Sequence, residues 1–269
     1  MILSGCPRCQ TGKKACETYQ GIDHETQLGL RMTMSFLNNT NGLDWLDALA
    51  VAVFFTVWLW LGWRIGHPSA ARPSVTVLMS DYRLQWMEVM VTRQPRIFDA
   101  QIMMSLRQST SFFASTCLLA LGGLLALIGN VELLGGVATR LTNIENSSAV
   151  LQTKLFLALF MLGNAFLKFV WANRVFGYCS VVMGAVPNDP DSPRAMPLAM
   201  KAGKLNGRAA INFNAGLRSM YFALCALAWL GGALVLLVGV AVTAWVVWSR
   251  EFASASRDVI LDLNGDTKS

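Results

Sequence analysis

The chain has 269 residues, of which 54% are hydrophobic and only 14% charged. Soluble domains carry about a quarter charged residues, so this composition excludes an ordinary soluble domain and points to a membrane protein. The formal net charge of +6 is first a topology signal, because Lys and Arg near spans set orientation; no nucleic-acid partner is needed to explain it.

Residues 1–43 hold no apolar run long enough to span or to act as a secretory signal peptide, so the first span itself is expected to target the chain. CPRC (Cys6–Cys9), with Cys16 and His24 nearby, invites a metal or redox reading. A zinc site needs a second pair, and redox work needs a βαβ surround. Neither is present, so no metal and no cofactor is expected. Met32 and Met34 suit a natural start, which makes residues 1–31 readable as spurious upstream translation.

A spanning helix needs roughly 20 mostly apolar residues. Four such stretches lie at about 45–64, 108–130, 155–178 and 219–248, within a transmembrane domain at 44–253. Trp45, Trp58, Trp60, Trp63, Trp245 and Trp248 cluster near span ends, where amphipathic rings favour the interface. The two long connections carry twelve cations against five anions. Both are therefore expected in the cytoplasm of a bacterial inner membrane, with both termini outside.

These connections are not blank loops. In Val75–Arg93, the residues Met79, Tyr82, Trp86 and Met90 recur at helical spacing, which predicts an amphipathic helix lying in the inner interface. Pro95 suits the first turn of a new helix that runs from Arg96 to Gly129, longer than a membrane is thick. Leu155–Val186 measures about 48 Å at about 1.5 Å per residue, against about 30 Å of hydrocarbon. It ends at PNDPDSP (Pro187–Pro193), a turn-rich break. The last span starts near Ala199 and continues to Glu251, and 254–269 reads as a polar tail. The fold class is all-α: an integral membrane four-helix bundle, its long helices protruding into the cytoplasm.

The stretch FLKFVWANR (Phe166–Arg174) places two cations in an apolar run. At 100° per residue, Asn164, Lys168, Trp171, Arg174 and Tyr178 share an arc of about 120°. Lys168 lies about 21 Å along the span, within the membrane, where a charge costs about 2.5–3.5 kcal/mol. The neighbouring spans offer Arg107, Ser111 and Ser115 on one stripe, and Asn212, Asn214 and Arg218 on the last helix. These residues predict a cationic pocket formed by Arg107, Asn164, Lys168, Arg174, Asn212, Asn214 and Arg218, with Asp99 as charge partner. Its ligand would be a phosphate, a carboxylate, a lipid headgroup or chloride.

Other features carry less. Cys117, Cys179 and Cys225 read as small core residues. His67 is a lone interfacial histidine. Asn38 and Asn146 head glycosylation sequons. Gly122–Ala126, Ala228–Gly232 and Gly239–Thr243 are small-residue pairs that favour close helix packing. No catalytic motif appears, so an enzyme is not expected.

Longer words recur as well: SDYRLQWM (Ser80–Met87), RIFDA (Arg96–Ala100), SFFAST (Ser111–Thr116), LKFVWANR (Leu167–Arg174), GAVP (Gly184–Pro187), FNAGLRSMYFALCALAW (Phe213–Trp229) and SREFAS (Ser249–Ser254). Over about Leu43 to Ala255 the chain resembles the multi-pass bacterial and plant membrane proteins catalogued as domain of unknown function 599. The resemblance implies an integral membrane protein and no known activity. Three functions follow from the residues. The first is a homo-oligomeric transporter or channel subunit for a small anion. The second is a scaffold or assembly protein that holds anionic lipid or a partner on its cationic inner face. The third is a membrane enzyme acting on a phosphorylated lipid.

Overall fold

The computed structural model describes residues 43–69, 72–130 and 147–262. The CPRC tail, Met32, Asn38 and Asn146 lie outside the described residues. Within them the chain folds as α1 (Trp45–Gly66), α2 (Val75–Thr92), α3 (Ile97–Gly129), α4 (Ser148–Gly184), α5 (Ala195–Leu227), a 3-10 turn (Ala228–Gly231), α6 (Ala233–Phe252) and α7 (Ala255–Asp262).

Four helical stretches are long and apolar enough to cross a membrane: Trp45–Gly66, Ile97–Gly129, Ser148–Gly184 and Ala233–Leu261. Their outer surfaces expose Leu119, Leu167, Leu234 and Trp245. Apolar surface on this scale belongs against hydrocarbon.

The last span departs from expectation. Residues 219–248 do not form one helix. α5 ends at Leu227, the 3-10 turn follows, and Gly232 adopts φ 109°, a region that favours glycine. The chain then reverses. Gly239 returns beside Cys225, and Arg250 Nη1 donates to Tyr221 OH at 2.8 Å. The Ala228–Gly232 pair is thus the reversal itself. Hydropathy misses it because both arms are apolar.

α5 consequently runs the whole height of the bundle, antiparallel to α4. From one end to the other, Cys179 Sγ donates to Ala202 O (3.2 Å), Gly216 lies under Phe169, Asn164 Nδ2 donates to Ser219 Oγ (2.8 Å), and Lys154 sits over the Trp229 ring. Trp229 Nε1 donates to Asp47 at the start of α1 (2.6 Å). At the opposite end Trp60 stacks on Trp248 and Arg64 lies over Phe252, so α1 and α6 run parallel. Trp45 and Phe252 therefore occupy opposite ends of the bundle.

The end that holds α2 is the base. There α2 lies across the first half of α5. A Cβ at Gly203 would stand 2.9 Å from Leu84 Cδ2, and one at Gly207 would stand 3.2 Å from Ser80 Oγ. Arg83 donates to Asn206 Oδ1. Burial pushes the Arg83 pKa below its ordinary value. The buried face of α2 is Met87, Met90 and Val91, whereas Met79 of the expected apolar stripe is exposed. α2 packs on protein through a rotated face because α5 offers it small residues. Beyond α6, the expected polar tail begins as helix α7. Arg257 Nε donates to Pro73 O at 3.2 Å, which holds α7 to the α1–α2 connection.

At mid-height, Phe113, Phe169 and Phe213 pack ring on ring around fully buried Cys117 and Ala165. A Cβ at Gly216 would meet three Phe169 ring atoms at 2.8–3.0 Å. Gly216→Ala should therefore destabilise the protein by about 1–3 kcal/mol, the usual cost of overpacking. Gly177→Ala has nothing within 4 Å of the new methyl. It should be neutral or slightly stabilising, because alanine is the better helix former. Thermal unfolding in detergent, followed by circular dichroism, checks both.

Candidate functional site

The seven residues expected to share one pocket separate into distinct places. Asn164 is a latch between α4 and α5, through Ser219. Arg174 Nε donates to Tyr178 OH, and its guanidinium stands over that ring at 5.8 Å, on an exposed face. Asn212 Nδ2 donates back to Arg208 O, one turn earlier in its own helix (2.9 Å). Asn212 and Asn214 are two residues apart, about 200° around a helix, and cannot line one pocket. Arg107 is exposed on α3, far along the chain from the others. Asp99 is fully buried and accepts from Arg93 and Trp86 (2.7 Å), so it is not the partner of Lys168. Lys168 itself is half-buried and makes no hydrogen bond or ion pair among the described residues.

Two of the seven, Asn214 and Arg218, do meet, where α5, α6 and α2 converge. Glu251, in the last turn of α6, accepts from Thr76 Oγ1 (2.9 and 3.0 Å) and from Thr76 N (3.3 Å). This carboxylate joins the end of α6 to the start of α2, where an anion suits the positive end of the helix dipole. Asn214 Nδ2 donates to Thr76 Oγ1 at 3.2 Å and ties in α5. Ser74 completes the corner: its Oγ accepts from Val77 N (3.4 Å) and donates to Ile65 O (3.1 Å).

Arg218 stands within this corner and lines two small cavities of about 160 and 220 Å³. The smaller is shared with Tyr221 and Arg250, and the larger with Thr76, Ser80 and Asp81. Burial pushes the Arg218 pKa below its ordinary value, and the nearby Glu251 carboxylate offsets part of that effect. The Arg218 guanidinium nevertheless donates no hydrogen bond among the described residues. Arg250 engages one donor on Tyr221 OH and stacks on that ring at 5.6 Å. A guanidinium has five N–H donors in a planar fork that matches carboxylate and phosphate oxygens. Two such forks on one cavity, against a single carboxylate already held by Thr76, leave net positive charge directed at a small anion.

Sequence reasoning missed Arg250, Glu251, Thr76 and Tyr221. Glu251 and Arg250 were legible only as the polar end of a span. Their pairing with Thr76, Arg218 and Tyr221 depends on the reversal at Gly232.

A model of the family described as "Protein of unknown function, DUF599" matches residues 49–256. No curated protein and no solved structure matches the chain.

Thr76→Val removes the hydroxyl shared by Glu251 and Asn214. It should cost about 1–3 kcal/mol, because buried partners lose their hydrogen bond. The loss should concentrate in α2. Hydrogen exchange across 75–92 should quicken while the mid-height core around Phe169 keeps its protection.

Proposed function

Starting from the fact that the chain belongs to the DUF599 family and carries four apolar helices suited to a membrane, we propose that it is a non-catalytic membrane scaffold that holds an anionic headgroup at its base. The observation that carries this reading is Arg218: a guanidinium lodged where three helices meet, whose donors make no hydrogen bond among the described residues, with Arg250 on the same cavity. The base also carries Arg72, Arg83, Arg93, Arg96, Lys201 and Lys204, so by the charge rule it faces the cytoplasm of a bacterial inner membrane. The start of α1 then lies outside and α7 inside. At that depth the anion nearest Arg218 and Arg250 is the headgroup of an inner-leaflet lipid.

Two observations argue against the other functions. The three-phenylalanine cluster closes the space between α3, α4 and α5 at mid-height, which argues against a polar route there. Of the two acids on the Arg218 cavities, Glu251 has both oxygens held by Thr76, which makes it a strut and a poor proton acceptor, and Asp81 is exposed to solvent. Anion transport keeps one specific support, the partnerless Lys168 on α4. A conduction path would have to run between subunits of a homo-oligomer.

The test uses full-length protein in nanodiscs of phosphatidylcholine, with and without phosphatidylglycerol. The anionic lipid should raise the Tm of the wild type. Arg218→Gln with Arg250→Gln should lower anionic-lipid retention about tenfold, equivalent to about 1.4 kcal/mol, in native mass spectra. Equal retention by the double variant would remove the proposal. Liposomes should show no chloride or phosphate flux; flux that disappears in Lys168→Met would replace the scaffold by a conduction path between subunits.

A further inference from the structure

A further polar cavity at the base lies away from Arg218, between the start of α3 and the end of α4. Its volume is about 420 Å³, within the range of about 300–1,000 Å³ typical of small-molecule sites. Four methionines, Met90, Met103, Met104 and Met183, make most of its apolar wall, with Ala100 and Val186. Its polar groups are Arg96, Asp99, Arg107, Ser180 and Asn188. Thioether side chains are flexible and polarisable, and adapt to apolar bodies of differing shape.

The hydrogen bonds around this cavity are one-sided. Asp99 is fully buried, and Trp86 Nε1 and Arg93 Nη1 both donate to the same oxygen, Oδ1. Oδ2 is buried and accepts nothing among the described residues. Arg96 directs Nη1 to Val186 O (2.7 Å) and Nη2 to Pro187 O (2.7 Å) and Val91 O (3.4 Å). Its Nε is buried and donates to nothing. Buried polar atoms are almost always paired, so each exception asks for a cause. Here one free acceptor and one free donor belong to two residues lining the same cavity, and both atoms lie beneath its wall, where a shift of a flexible methionine side chain would open them to a ligand. Arg107, exposed and with no hydrogen bond or ion pair among the described residues, stands at the mouth.

We propose that this cavity binds a small zwitterion of the amino-acid type with an apolar side chain. Its ammonium would meet Asp99, its carboxylate would meet Arg96 and Arg107, and its side chain would lie among the methionines. Each single-charge alternative meets an opposing group. A simple anion would approach the free oxygen of Asp99, and a simple amine would approach two guanidiniums. A ligand with both ends satisfies all three. The site is separate from the Arg218 niche and does not rest on the headgroup reading.

The experiment is equilibrium binding to the full chain in detergent, by thermal shift and calorimetry. The probes are leucine and methionine, their decarboxylated amines and their N-acetyl forms. Both free amino acids should raise the Tm, and each single-charge analogue should bind at least tenfold more weakly. Asp99→Asn is expected to disturb the buried Arg93 contact and is a poor test. Ala100→Phe, on an exposed wall, and Arg107→Gln, at the mouth, should keep the helical circular dichroism of the wild type. Both should weaken leucine binding at least tenfold. Arg218→Gln should leave it unchanged. No binding of either amino acid to folded wild type would overturn the proposal, as would binding that Ala100→Phe does not alter.

Discussion

The antiparallel contact between α4 and α5 is the constraint on which the other helices depend. These helices have 37 and 33 residues, about 55 and 50 Å, longer than the hydrocarbon is thick. A pair that long needs small residues wherever its axes approach. Gly216 admits the Phe169 ring, and Ala165, Ala172, Ala199 and Ala202 are fully buried along the seam. Without a hydrophobic drive inside the membrane, close packing and interhelical hydrogen bonds hold such a pair. Asn164–Ser219 supplies one bond of that kind, and Cys179–Ala202 O another.

The rest is assembled on this axis. α3 leans on α4 through Phe113. α6 folds back from the far end and brings Arg250 and Glu251 down to the base. α1 lies beside α6, with Trp60 on Trp248. At the base the same α4–α5 pair acquires a second core of Met87, Met90, Met103, Phe176 and Met183. The two cores differ in kind. The mid-height one is aromatic and stiff; the basal one is rich in methionine and adaptable.

Polar side chains are placed accordingly. Within the apolar stretch several find partners on the nearest turn or the next helix, as Thr116 does with Phe112 O and Arg174 with Tyr178, whereas Lys168 makes no hydrogen bond among the described residues and Asn173 Oδ1 is buried and accepts none. At the base, longer connections converge, and Thr76, Asn214, Glu251 and Arg218 come from three helices separated widely in sequence. Unengaged donors and acceptors collect there because the backbone geometry that brings the helices together leaves small gaps between them. The bundle is thus differentiated by height: apolar packing at mid-height, converging polar side chains at the base.

The helical class, the apolar spans, the overlong helices and the break at Pro187 were legible in the sequence, because hydropathy and length are local properties of a chain. So was the excess of cations in the two long connections. The direction of the chain after Leu227 was not. An apolar window reads the same whether it continues or turns back, and only Gly232 at φ 109° decides it. The single pocket failed for a related reason. Helical periodicity says which residues share a face, but not which face meets which helix. That choice followed from Gly203 and Gly207 admitting α2, and from Gly216 admitting Phe169. The tertiary structure therefore decided that Arg218 meets Arg250, and that Asp99 turns one oxygen to Arg93 and leaves the other free, since both depend on contacts between segments far apart in the chain.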